Sequence, residues 1–557
     1  MRHCFAPLAA LLASTGALAA DPKADKPIIG PPPAWVRPVK LQTDTSKPDG
    51  SAVKLLLNDQ QIHLLPNGSE TYSETAARVQ TAQGLAALGT ISLPWKPDQG
   101  TLTVHKMHVI RDGKVIDLLA DSHGFTVLRR ENGLEYAMLD GVLTAVIQPE
   151  GLQVGDVIDM AMTVKTAEPA LGGNSEGFIV LGPAAHVLKY RMRVLWDDNL
   201  PVRWREGAGL PPIHPRKANG VTEISLALDN VEPTVPPKGA PARFALARNV
   251  EMTTSKSWNQ LSELFAPLYV KAAALKADSA LKAEIASIAS ASPDQVKRAE
   301  AALTLVQDKV RYVFLGMDDG GLVPADADVT WQRRFADCKG KTALLLALLH
   351  GLGIEAEPAI VSTTLGDGLD QRMPMAGYFN HVIVRATIGG KIFWLDGTRV
   401  GDTRLADIQV PDFRFALPLR APGAVLERME VPVPAKPLDE YLLKIDMTAG
   451  VTRPFPFRVE EISRGDDALS MHLRLEDMTP QVRQQSLREY FAGRYPDVEP
   501  KSYSAAWDPA TGEEKLVMDG METHDWRWAY QLDHAAIGWK ADFTRADGPD
   551  REAPFAV

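Results

Sequence analysis

A chain of 557 residues is too long for one hydrophobic core and predicts about three domains. Its 45% apolar and 23% charged content is that of a globular protein and excludes a disordered one. The net charge of −10 leaves no basic surplus to neutralise phosphates, which excludes a nucleic-acid binder of that kind.

Residues 1–19 read as an address rather than as structure. Arg2 gives a positive start, Phe5 to Ala13 an apolar run, and Ala17-Leu18-Ala19 a small-residue cleavage site. The run is too short to span a bilayer, and no later stretch reaches the ~18 apolar residues a membrane helix needs. The expectation is an exported protein, periplasmic or secreted, with no integral membrane segment after cleavage. Loss of the leader removes Cys4 and leaves Cys338 as the single thiol, so no internal disulfide can form.

Residues 20–48 (with GPPPAWVRPVK) read as a Pro-rich, exposed lead-in. Over residues 49–243 short alternating runs are broken by Gly, Asp and Asn, as in TLTVHKMHVIRDGKVIDL and HVLKYRMRVLWDD. That pattern predicts an antiparallel β-sandwich. A Pro-dense connector, Pro233 to Arg243, closes the domain.

The period then lengthens to 3.6 residues. SWNQLSELFAPLYVKAAAL, around Trp258, and SPDQVKRAEAALTLVQDKV predict amphipathic helices, the second with Ser292 as N-cap and Pro293 at its first position. Residues 244–425 are read as the central domain. Residues 426–557 predict a third, mostly β domain, with YLLKIDM and LSMHLRL as strands and one helix capped by Thr479 and opened by Pro480.

The chemistry sits between Trp331 and Thr398. In WQRRFADCKGKTALLLALLHGLG, Asp337 is a natural N-cap and Gly351 or Gly353 a stop, which places Cys338 in the first turn of an apolar helix. Free N–H groups and the helix dipole favour an anion there, so a thiolate is favoured, with Lys339 and Lys341 close by. The Cys338 amide is placed to donate to an oxyanion. In FNHVIVRATIGGKIFWLDGT, Gly389-Gly390 signals a two-residue hairpin. Ile388 then pairs with Lys391, His381 lies opposite Thr398, and Asp396 is a diagonal neighbour of His381 on the same face. Cys338, His381 and Asp396 have the residue types of a thiol nucleophile, its base and the group that orients the base.

The pattern R-x-A-D-C-K-G-K, an apolar helix, G-I-E-A, F-N-H on a strand and W-L-D-G-T resembles the core of the bacterial transglutaminase-like superfamily, in the variant with an N-terminal DUF3857-type domain. The resemblance covers roughly Trp258 to Arg420 and implies a papain-like α+β core with Cys338, His381 and Asp396 as the catalytic triad. It also implies a peptide or protein substrate, and a second oxyanion donor from a side chain just upstream of the cysteine, either Gln332 or Trp331. Ala336 departs from the pattern, which commonly has glycine before Asp-Cys. The implied reaction passes through a thioester and ends in hydrolysis or transamidation. The competing reading is a non-catalytic envelope module that uses the same core to bind peptides.

No cofactor or metal is expected. His105 and His108, three apart on a strand, point to opposite faces, and Asp318, Asp319, Asp326 and Asp328 lack the spacing of a calcium loop. Neither a phosphate loop nor a dinucleotide fingerprint is present. His350 reads as a partner for the C-terminal end of the cysteine helix.

Overall fold

The computed structural model describes residues 25–41, 48–120, 124–129, 138–181, 186–233, 239–244, 248–315, 321–450 and 452–523. The expected leader, Cys4, Asp318 and Asp319 lie outside them. The described chain is a multidomain α+β protein.

The long alternating runs of the N-terminal half pair into one nine-stranded sheet. Its central order is Gly100–Arg111, Val157–Ala167, Gly68–Val79, Val53–Leu65, Val187–Asp197, Val221–Val231. Two three-stranded sheets complete sandwiches with it. One comprises Ile91–Trp95, Leu143–Ile147 and Thr126–Arg129. The other, called here the docking sheet, comprises Glu176–Val180, Asn249–Thr253 and Arg203–Glu206. Separate apolar clusters fill the two interfaces, around Leu102, Met107 and Ile158 and around Tyr190, Met192 and Val250. The sandwich is not wholly antiparallel, because Val187–Asp197 runs parallel to Val53–Leu65. Nor does it end at Arg243, since Asn249–Thr253 returns as the middle strand of the docking sheet.

The lead-in is exposed at most of its positions, as expected, but described residues 25–41 also lie along the large sheet and are tied to it. Ile28–Ile29 pairs in parallel with Gly100–Arg111. Gln61 Nε2 donates to the Arg37 carbonyl at 2.9 Å, Arg193 Nη1 to the Trp35 carbonyl at 2.7 Å, and Trp35 Nε1 to Glu70 at 2.8 Å. A Pro-rich chain has few donors of its own, and polar side chains on this sheet face satisfy its carbonyls instead.

Among the described residues the central core has five α-helices. They are α1 (Trp258–Ala272), α2 (Leu281–Ala291), α3 (Gln295–Lys309), α4 (Ala327–Arg333) and α5 (Cys338–Gly351). Asp294, not Ser292, caps α3, accepting from Val296 N at 2.8 Å, and Ser292 ends α2. The core sheet is antiparallel, in the order Lys391–Leu395, His381–Ile388, Glu355–Val361, Phe415–Pro418, Glu427–Arg428. Residues 338–349 of α5 are buried on every side. A helix apolar all round belongs at the centre of its domain. Leu261 and Phe265 of α1, Leu303 and Val306 of α3, and Val382, Val384 and Leu395 of the sheet enclose it.

In the C-terminal domain the sheet order is Asp439–Ile445, Phe455–Ser463, Glu513–Glu522, Val498–Asp508. LSMHLRL is not a strand: it lies in α6 (Gly465–Glu476). Its alternation also carries helical spacing, and Ala468, Met471 and Leu475 form the packed face. Thr479 and Pro480 open α7 (Pro480–Arg494) as expected. Arg399 ties this domain to the core, pairing with Asp402 at 2.9 Å and Asp466 at 2.7 Å.

Candidate active site

The site is built outward from the mouth of α5. Asp337 Oδ1 accepts from Gly340 N at 3.0 Å, capping the helix, and its other oxygen pairs with Lys339 Nζ. Gly340 permits close packing, because a Cβ there would come within 2.9 Å of the Ala336 Cβ and 3.0 Å of Thr330 Oγ1. Ala336 is fully buried in a short parallel pairing with Tyr312, an extended conformation that alanine adopts freely. The left-handed turn ahead of the cysteine falls on Arg334 (φ 62°) instead. Cys338 is 5% exposed and is the one free cysteine among the described residues.

The hairpin supplies the next two groups. Gly389 (φ 57°) and Gly390 (φ 78°) form the turn and Ile388 pairs with Lys391, as the dipeptide predicts. The ladder, however, ends at Val384–Leu395, so His381 and Thr398 are not paired. Asp396 leaves the strand in an Asx turn, its Oδ1 accepting from Thr398 N at 2.8 Å and Thr398 Oγ1 at 2.6 Å. Its Oδ2 lies 2.8 Å from His381 Nε2. Proximity thus comes from the turn, not from a cross-strand pair. Gln307 of α3, which sequence reasoning passed over, fixes this turn by donating to the Asp396 carbonyl at 3.0 Å and to Asp402 at 2.8 Å.

With Nε2 engaged, Nδ1 is the nitrogen left for Cys338. Burial alone would lower the His381 pKa. The Asp396 hydrogen bond, then the hydrogen bond to Cys338 and the charges of both partners, outweigh it and push the imidazole up to about 10. Burial works against the Asp396 carboxylate, but His381 and Thr398 hold it below its ordinary value. The pair is therefore electrostatically matched as imidazolium and carboxylate. Phe413 sits edge-on to the His381 ring at 6.1 Å.

Cys338 and His381 open onto one cavity of about 220 Å³. Its other walls are mainly apolar: Phe265 and Tyr269 from α1, Phe314, Leu322, Ile360, Phe379 and Leu419. Lys339 also borders it, but Lys341 does not. Lys341 is 1% exposed, donates to the Val310 carbonyl, and is drawn down by burial to about 8. The two upstream side chains are not brought to the cavity. Trp331 is buried in the core with Arg334 stacked on its ring at 3.4 Å, and Gln332 is exposed on α4. Tyr269 is the phenol on the cavity wall. Burial, then the negative charges of Cys338 and Asp337, raise its pKa well above the ordinary value, so it stays a donor. No sequence spacing links residue 269 to residue 338, and only packing of α1 on α5 reveals the juxtaposition.

His105 and His108 take separate tasks, the first bonded to the Gly30 carbonyl at 2.8 Å and to Thr163 at 2.7 Å, the second near Asp117 at 3.9 Å. His350 lies in the last turn of α5 but bonds the Ala356 carbonyl of the following strand at 2.8 Å, not a carbonyl of its own helix; the backbone N–H of Leu352 closes α5.

Fold and site together define an α+β protein with a helix-mouth thiol beside a histidine–carboxylate pair. Residues 66–235 match the family described as a domain of unknown function with solved structure, DUF3857. No curated protein matches the chain. Among solved structures it is similar to a candidate protease from Parabacteroides distasonis ATCC 8503, at 13% identity and a TM-score of 0.55, covering 85% of this chain and 94% of that one. That likeness is one of fold. A candidate cysteine protease from Cytophaga hutchinsonii matches at 13% identity over 41% of this chain and 72% of its own, with a TM-score of 0.18. An M1 zinc metallopeptidase from Deinococcus radiodurans matches at 11% identity over 36% and 42%, with a TM-score of 0.21.

Proposed function

We propose that the protein is an exported, cysteine-dependent acyl-transfer enzyme of transglutaminase-like type, acting on a peptide or carboxamide carbonyl. The observation that carries this reading is the 2.8 Å His381–Asp396 hydrogen bond beside the cavity that holds Cys338. The Cys338 thiolate attacks the carbonyl carbon, forming a C–S bond as the π pair moves to oxygen. The oxyanion is received by the Cys338 amide and, in place of Trp331 or Gln332, by the Tyr269 hydroxyl. Collapse restores the carbonyl and breaks the C–N bond, with imidazolium His381 giving its proton to the departing amine. Neutral His381 then takes a proton from water or an acceptor amine as it attacks the thioester, and the C–S bond breaks to return the thiolate. Asp396 keeps the imidazole in register throughout.

The cavity suits an apolar side chain on the acyl donor. Apart from the reacting Cys338–His381 pair, the one charged side chain among the described lining residues, Lys339, is already paired with Asp337. A charged side chain entering would lose its hydration without a new partner. On a panel of peptide amides differing at one residue next to the scissile bond, leucine or phenylalanine should give a kcat/KM about 100-fold above glutamate or lysine, roughly 2.7 kcal/mol. Equal turnover of charged and apolar donors would contradict this use of the cavity. Binding of such peptides without turnover would favour a peptide-binding module instead.

A further inference from the structure

We propose that the docking sheet of the N-terminal half is part of the cleft itself, with Glu176 and Glu251 as positioning residues for the cavity wall. The inference rests on the acyl-transfer reading of Cys338 for its consequence in turnover, but not for its geometry.

The segment from Arg372 to Asn380 is the last part of the connection from core strand Glu355–Val361 to the strand that begins at His381. Ala376, Phe379 and Asn380 line the cavity, and the next residue is the histidine. The segment contains Pro374 and Gly377 and forms only one 3₁₀ turn, Ala376–Tyr378, so it has little regular pairing of its own. Amides outside regular structure need acceptors elsewhere. Here they find them on the other domain. Glu176 accepts from the amides of Ala376 and Gly377, both at 2.7 Å, at the head of the 3₁₀ turn. Glu251, fully buried, accepts from the Tyr378 hydroxyl at 2.7 Å, Arg372 Nη1 at 3.1 Å and the Met373 amide at 3.3 Å. Thr253 Oγ1 donates to the Pro374 carbonyl at 2.9 Å, and Phe178 meets the Tyr378 ring edge-on at 5.6 Å. These four residues belong to two neighbouring strands of the docking sheet. Arg205 and Arg372 share the charge of Glu251, so the carboxylate is compensated in place.

Each glutamate therefore acts through the segment, not on the substrate. Releasing the segment frees the wall formed by Ala376 and Phe379 while leaving Cys338, held by α5, and the Asp396 turn, held by Gln307, where they are. That separation gives the test. In the full chain, Glu176→Ala should speed hydrogen exchange of the 373–379 amides by about tenfold or more, as expected when charge-assisted bonds to them are lost. Its KM for apolar peptide donors should rise about tenfold with kcat within about threefold of wild type, the signature of lost substrate positioning. Alkylation of Cys338 by iodoacetamide, which needs no wall, should stay within about twofold of wild type. Glu176→Gln, which keeps one acceptor oxygen, should fall between the two. Unchanged exchange and KM in a folded Glu176→Ala variant would overturn the proposal. So would an equal loss in the iodoacetamide reaction, since the glutamate would then support the fold as a whole. Faster exchange together with a wild type that turns over no amide would leave the docking standing and overturn only the acyl-transfer reading.

Discussion

Cys338→Ala should reduce turnover by on the order of 10⁴-fold or more, because removing a nucleophile leaves only the contribution of binding and oxyanion contacts. The fold should survive. Cys338 sits at the mouth of α5 rather than among its leucines, and alanine there keeps the helix cap made by Asp337. The packing loss is that of one sulfur, about 1 kcal/mol, a few degrees in the melting midpoint at most. A variant that melts like wild type and still turns over at the wild-type rate would remove Cys338 from the mechanism.

Asp396→Asn should cost about 10³- to 10⁴-fold in kcat, since the amide presents N–H where His381 needs an acceptor and favours the wrong tautomer. The variant also tests the electrostatics. Burial lowers the His381 pKa, and Asp396, followed by Cys338, lifts it to about 10. A histidine raised from its ordinary value of 6.5 stabilises the fold fully below that value and loses the contribution as pH rises through about 10. The wild-type denaturation midpoint should therefore carry a falling component between pH 6.5 and 10. In Asp396→Asn the largest raising cause is gone and that component should flatten. The alkaline limb of kcat/KM should move down with it, as a property of the thiol–imidazole pair rather than of either group alone. Profiles that superimpose in the two proteins would contradict the pairing.

The site was legible where its chemistry is local. Asp337 before Cys338 and the run of leucines after it specify a capped, buried helix, and Gly389-Gly390 specifies the hairpin. The strand pairing inferred as far as His381 and Thr398 does not form, because Asp396 leaves the strand in an Asx turn with Thr398. What escaped the sequence depends on contacts between distant segments, which leave no period to read. Tyr269 reaches the cavity only because α1 packs near α5. Glu176 and Glu251 meet Ala376 and Tyr378 from 200 and 127 residues away. Trp331 and Gln332 were chosen for nearness in sequence, and the turn at Arg334 places them behind the helix mouth rather than over it. At the level of elements, alternation misled once. LSMHLRL satisfies period two, but Ala468, Met471 and Leu475 satisfy a helix against the C-terminal sheet, and packing decided between them. The lead-in misled differently: its prolines forbid a ladder of its own but not one made by Gln61 and Arg193.

The central claim is a thioester on Cys338, and intact mass measured after acid quench tests it directly. Wild-type protein mixed with an activated ester of an apolar peptide should gain the mass of one acyl group within a single turnover. Digestion should place it on the fragment carrying Cys338, and Cys338→Ala should gain nothing. Turnover with no adduct on that fragment, or an adduct that persists in Cys338→Ala, would contradict the account.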